Sequence, residues 1–301
     1  MKINVLLYGM LLSVLSASCY KEEELKSSNE PENVYGEYTL PQGDHDYDNQ
    51  IVEYFKKYNV IILYKFRDRD YWWNSTSDIR WVYNPEINLT HSGYEATPAD
   101  TLYIGDQLDL LQDKFFKYFP DSLLNRALPS KILLSSMFNF VPTTTGLPLE
   151  TDRKLVNLYS GYDYLGVNWG NEKIRTMTHD QKNAFKGEAC YVFLKRLFDK
   201  KQMSYSTDFI GITDYSQRVT NANLYELGYV ISDATSPSKD WVSYIDLIVH
   251  TSYETLTEED GVLNSKVDVS GKIKQKYDII IDYFKSEYNI DLQAIGNDIE
   301  K

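Results

Sequence analysis

The sequence predicts a helix-rich α+β domain with a small sheet, set behind an N-terminal leader and a polar tether. Three observations predict it. Several long segments carry apolar side chains at helical spacing. A few short β-branched and aromatic runs lie between them. The chain has no internal repeat and no low-complexity tract, so these elements belong to one fold rather than an array. Of 301 residues, 43% are apolar and 25% charged, the balance of an ordinary globular chain. A formal charge of −13 repels phosphate backbones and argues against a nucleic-acid partner.

Residues 1–18 read as an export signal. Lys2 supplies the positive start, and residues 5–15 form an apolar run too short to span a bilayer. Leu15-Ser16-Ala17-Ser18-Cys19 is similar to a lipobox, in which small residues precede a cysteine that is acylated and becomes the new N-terminus. Lipidation at Cys19 would anchor the chain in a membrane, since several acyl chains hold stably where one does not. Tyr20-Lys21-Glu22-Glu23-Glu24 follows, a charged start to a tether over residues 19–45 that contains Pro31, Gly36, Pro41 and Gly43. The domain is expected over residues 46–301.

Within it, residues 46–58 predict a helix with Ile51, Tyr54, Phe55 and Tyr58 on one face, and residues 59–66 a strand. Trp72, Trp73 and Trp81 flank a polar loop, where they either cap the core or stack a ligand; capping is favoured. Residues 103–118 predict a helix with Leu108, Leu111 and Phe115 in register and Pro120 beyond its end. Residues 131–141 read as a buried strand and 163–169 as another. The longest helix is expected over residues 178–201. A short helix at 221–228 stops at Gly228, and another runs from Trp241 to about Tyr253, with Ser238 as its cap and Asp240 in its first turn. The last spans 271–289, with Ile273, Tyr277, Ile280 and Phe284 in register.

The chemistry-bearing residues are sparse. His45, His91, His179 and His250 never lie three or four apart, so no helix face presents two imidazoles. Cys190 sits among Phe193, Leu194 and Leu197 and reads as a buried, inert thiol; once Cys19 is lipidated no internal disulfide is available.

The order of these segments resembles the substrate import-associated zinc metallohydrolase lipoproteins, a gluzincin-like family. The likeness covers most of the chain after about Asp46. It rests on residues 48–66, on Gly187-Glu188-Ala189-Cys190-Tyr191, on Leu227-Gly228-Tyr229-Val230-Ile231-Ser232, on Ser236-Pro237-Ser238-Lys239-Asp240-Trp241, and on residues 276–292. The resemblance implies a zincin-like single domain on a surface-exposed outer-membrane lipoprotein that accompanies a TonB-dependent import channel and its lipoprotein partner. In active members His-Glu-x-x-His binds zinc through two histidines, and its glutamate activates the bound water. Here Gly187 and Tyr191 take the histidine positions, and Glu188 keeps the base position. A downstream acidic motif supplies the third ligand in the family; Lys239 and Asp240 take its Glu-Asp pair, and Ser243 its last glutamate.

Glycine offers no ligand, and a neutral phenol is a poor one, so no zinc or other cofactor is expected. The resemblance then implies a non-catalytic role: holding a peptide or glycan, or docking to the importer. Two alternatives stay open. One is a zinc hydrolase working through distant ligands such as His179, His250 and Asp240; the other is a scaffold with no ligand. Glu188 left in an apolar helix is costly if unpaired; Lys239 either supplies its cation or points to solvent at the helix start, and the two readings stay open.

Overall fold

A computed structural model of the chain describes residues 34–35, 37–72 and 78–300. The leader, Cys19 and Trp73 lie outside the described residues. The chain divides after Leu40 into two units. In the first, β1 (Val34–Tyr35) pairs antiparallel with β2 (Tyr38–Thr39). In the second, the start is tied down early. The Gln42 side chain accepts from the backbone N–H groups of Tyr64 and Lys65, at 2.9 and 3.1 Å, and donates to the Lys65 carbonyl at 2.6 Å.

The first helix, α1 (Asp46–Tyr58), has the predicted bounds. Asp48 caps its start by accepting from the His45 backbone N–H at 3.0 Å, and Asn59 ends it in the left-handed region at φ 55°. Ile51, Tyr54 and Tyr58 are its buried face.

Strand β3 (Ile61–Leu63) then enters the main sheet, whose spine is β7 (Lys131–Val141). The first half of β7 is flanked on both sides by parallel strands: β3, and β11 (Tyr164–Val167). That double parallel pairing explains the continuous apolar run Ile132-Leu133-Leu134, all fully buried. The second half pairs antiparallel with β6 (Gly93–Pro98) and with β9 (Lys154–Leu155). Strand β10 (Leu158–Ser160) closes the far edge against β11. Beside this sheet stands a three-stranded one, β4 (Val82–Asn84), β5 (Leu89–His91) and β8 (Thr144–Thr145).

The connection from β3 to β7 carries α2 (Asp68–Trp72), α3 (Ile104–Lys114) and α4 (Asp121–Ala127). Helix α3 is fixed to the sheet by Gln107, whose amide donates to the carbonyls of Ser135, Val167 and Asn168.

Helices form the rest of the chain. The longest, α5 (His179–Asp199), is capped by Thr178, with Gln181 closing the reciprocal box. It buries Phe193 against Phe115 and Phe119, with ring centroids 5.3 and 4.9 Å apart. A short helix, α6 (Thr207–Gly211), precedes α7 (Pro237–His250) and α8 (Tyr253–Thr257). Helix α9 (Lys272–Tyr288) runs between two left-handed caps, Gly271 and Asn289, and α10 (Leu292–Asn297) follows. Trp241, fully buried in α7, packs against Phe209, Tyr283 and Phe284. No helix among the described residues is long and apolar enough to cross a membrane.

The helix-rich α+β class stands as predicted, and several details differ: the helix expected over residues 103–118 ends at Lys114, and the strand expected over 59–66 is only Ile61–Leu63. Residues 221–228 form successive turns rather than a helix; Gly228 at φ 83° diverts the chain. The cap of α7 is Ser236, whose hydroxyl accepts from the Lys239 N–H, so this helix begins at Pro237 and stops at His250. Strands β1, β2, β4 to β6 and β8 to β10 and helices α2, α4, α6, α8 and α10 were not anticipated. Trp72 is buried and Trp81 donates to Glu95 at 3.0 Å; both make core or edge contacts, as the capping expectation had it.

Candidate functional site

Helix α5 turns two faces to the molecule. Ala189, Cys190, Phe193, Leu194 and Leu197 face the core and are fully buried. Glu188 points to the sheet edge. One carboxylate oxygen accepts from the Asn157 backbone N–H at 3.3 Å, the other from the Asn157 amide at 2.8 Å. The Leu158 N–H adds a third donor. Asn157 is itself oriented by Trp169, whose indole N–H donates to its side-chain oxygen at 2.7 Å. Trp169 holds φ 83°, a strained value for a bulky residue, and is 5% exposed. A relay thus runs from Trp169 through Asn157 to Glu188. Burial raises the Glu188 pKa above the ordinary carboxylate range, opposed by these donors and by His250.

The other wall comes from α7. Its last residue, His250, turns its ring onto Gly187. A Cβ at position 187 would lie 2.7 Å from His250 Nε2 and closer still to Cδ2, so only glycine admits the ring. The end of α7 is pinned from behind by α10: a Cβ on Gly296 would collide with the carbonyl oxygens of Ile248 and Thr251. His250 Nδ1 donates to Asp246, 2.8 Å from its backbone oxygen and 2.9 Å from its carboxylate. Burial lowers the His250 pKa, but Asp246, with Glu188 beyond, outweighs it and leaves the group above its ordinary value. Tyr191 completes the cluster, its ring centroid 6.3 Å from that of His250. Burial first, then Asp246 and Asp199, pushes the phenol up to about 12, so it stays neutral.

The zinc that the resemblance implies does not fit these residues. A catalytic zinc takes three protein ligands and an open position. Position 187 has no side chain, and the phenol at 191 is held neutral. Both oxygens of Glu188 already accept hydrogen bonds. The distant set His179, His250 and Asp240 does not come together: His179 contacts Glu300, His250 contacts Asp246, and Asp240 lies at the other end of α7, paired with Lys276. Among the described residues no group of three His, Cys, Asp or Glu could hold a metal ion.

The expected pairing of Lys239 with Glu188 does not form either. Lys239 is exposed at the start of α7 and makes no ion pair among the described residues. The buried cation belongs instead to Asp240. Lys276 and Asp240 form an ion pair with both side chains fully buried. Tyr215 donates to the same carboxylate oxygen at 2.7 Å, and Lys276 also donates to the Gly228 carbonyl at 2.9 Å. The rings of Phe209, Tyr215, Tyr229 and Tyr244 surround the ammonium at 4.9–5.8 Å. Burial pushes Asp240 up and Lys276 down, while their mutual attraction opposes both shifts. Ser243 is buried and donates to the Asp240 carbonyl at 2.8 Å. Sequence reasoning passed over Lys276, yet a signal was there: it sits on the apolar face of α9 between Ile273, Tyr277 and Ile280. Cys190 is fully buried, its thiol pushed well up by burial.

Between the C-terminal half of α5 and the start of α7 lies a cleft of about 320 Å³. Tyr191 and Phe198 line one wall, Lys239, Val242 and Asp246 the other. Glu188 and His250 are not part of its lining. The structure therefore brings together Gly187, Glu188, Tyr191 and His250. It places Lys239 and Ser243 on the cleft and Asp240 in a separate buried pair.

No family model matches this sequence, and no curated protein is similar to it. Among solved structures the chain is similar to one described as "a putative zinc-binding metallo-peptidase from Bacteroides caccae". The two are 17% identical, over 83% of this chain and 88% of the other, with a TM-score of 0.46. At that distance the likeness carries no argument about chemistry.

Proposed function

We propose that this chain is a surface-exposed outer-membrane lipoprotein, anchored through Cys19, in which a metallopeptidase-like framework serves a non-catalytic role. It works as a binding or docking component beside a TonB-dependent import channel and its lipoprotein partner. The single observation that supports this best is at Gly187. The position where the resemblance puts the first zinc ligand is occupied by the ring of His250, and Glu188 next to it is hydrogen-bonded to Asn157 rather than free to activate water. The altered downstream motif agrees: Asp240 is neutralised by Lys276, and Ser243 is bonded to the backbone. The cleft beside Tyr191 favours a binding role over a bare scaffold.

Growth on the imported nutrient tests the reading. A deletion strain is expected to grow poorly. Complementation with Glu188→Gln is expected to restore growth as well as the native chain does, and Cys19→Ser is expected not to. A Glu188→Gln strain that grows like the deletion would show that the carboxylate performs chemistry.

A further inference from the structure

The cleft between α5 and α7 carries two charges that nothing among the described residues neutralises. At about 320 Å³ it lies near the lower end of small-molecule pockets, roughly 300–1,000 Å³, so it takes a small ligand. Of its charged lining groups, Lys195 pairs with Asp199 at 2.5 Å and Asp246 with His250 at 2.9 Å. That leaves Asp233 and Lys239, both exposed and without an ion pair among the described residues. The Tyr191 phenol also lines the cleft and is a neutral donor. Phe198, Ile231 and Val242 supply the apolar surface, with Ile231 47% exposed.

We propose that this cleft binds a small zwitterion with an apolar side chain, the chemical class of a free aliphatic amino acid. The assignment rests on the non-catalytic binding reading above. One unpartnered cation and one unpartnered anion match a ligand that carries one of each. A singly charged ligand meets only one of Lys239 and Asp233 and gains one charge contact where a zwitterion gains two. The apolar side chain covers Phe198, Ile231 and Val242, and the Tyr191 hydroxyl donates to the ligand's carboxylate or carbonyl.

The experiment is a calorimetric titration of the full chain, in the presence of EDTA, with leucine, leucinamide and N-acetylleucine. Leucine is expected to bind, and each blocked analogue to bind at least about tenfold more weakly, the cost of one lost charge contact of about 1.4 kcal/mol. Lys239→Met is expected to abolish the preference for leucine over leucinamide, and Asp233→Asn the preference over N-acetylleucine. Both residues are exposed, so both variants should fold, which circular dichroism checks. Equal binding of all three compounds, no binding of leucine up to about 10 mM, or unchanged preferences in both variants would each overturn the assignment. Repeating the titration with zinc in place of EDTA separates the two readings. Binding that requires zinc overturns the non-catalytic reading; a flat titration under both conditions overturns the cleft assignment alone.

Discussion

Substituting Lys276 by methionine should destabilise the domain more than any single change of an exposed residue near the site. Lys276 and Asp240 are both fully buried, and the second oxygen of Asp240 has no partner among the described residues. Removing the ammonium therefore leaves a carboxylate inside a ring of aromatic side chains with one remaining donor, Tyr215. Breaking a buried pair in this way costs about 3–5 kcal/mol. Urea slopes of about 1–3 kcal/mol per molar for small domains, rising with size, turn that loss into a midpoint shift of about 1 M or more. The paired replacement, Asp240→Leu with Lys276→Met, removes both charges and should recover most of the loss. It leaves about 1 kcal/mol for the Tyr215 hydroxyl deprived of its acceptor. Urea unfolding followed by tryptophan fluorescence measures all three chains. A loss under about 1 kcal/mol in the single variant, or a double variant no better than the single, would refute the reading of this pair as a mutually dependent charge couple.

Other outcomes follow from the same contacts. In an ordinary helix Gly→Ala stabilises by about 1 kcal/mol; Gly187→Ala should instead destabilise by about 1–3 kcal/mol, because the new methyl meets the His250 ring, and adding His250→Ala should relieve much of that loss. His250 has a raised folded pKa, so its contribution is fully present below its unfolded value near 6.5 and is lost as pH rises through the folded value; His250→Gln should remove that pH-dependent component from stability curves. Glu188 is raised as well, so the fold prefers its protonated form, and stability should fall as pH rises from its unfolded value near 4.3 through the folded one; Glu188→Gln should flatten that segment. Cys190 should resist a thiol reagent in the native state and react only on unfolding, as mass spectrometry would report.

The sequence made the long amphipathic helices legible because a 3.6-residue period survives any tertiary context: α1 came out with its bounds, and α5 and α9 within a residue or two at either end. Strand β7 was legible for a different reason, since burial between two parallel neighbours writes an unbroken apolar run. Strands β4 to β6 were not, because they are short and half-exposed, and β6 pairs with residues far along the chain, as in Tyr94 with Phe140. Turn preference misled at residues 221–228, where a glycine stop signal followed no helix. At the site, the missing histidines and the surviving Glu188 could be read from the chain. Their replacements could not. His250 reaches Gly187 only because α10 pins the end of α7 against α5, and Lys276 reaches Asp240 from another helix. A cation was one of two readings for Lys239 beside Glu188; Lys239 faces solvent at the helix start, as the other reading had it, and Glu188 is held by Asn157 instead.

The central claim is that this framework functions without zinc. The most direct measurement is the metal content of the full chain after equilibration with excess zinc and desalting, read by inductively coupled plasma mass spectrometry. Far less than one zinc per chain is expected, unchanged in Glu188→Gln and His250→Ala. About one zinc per chain, lost in either variant, would contradict the claim.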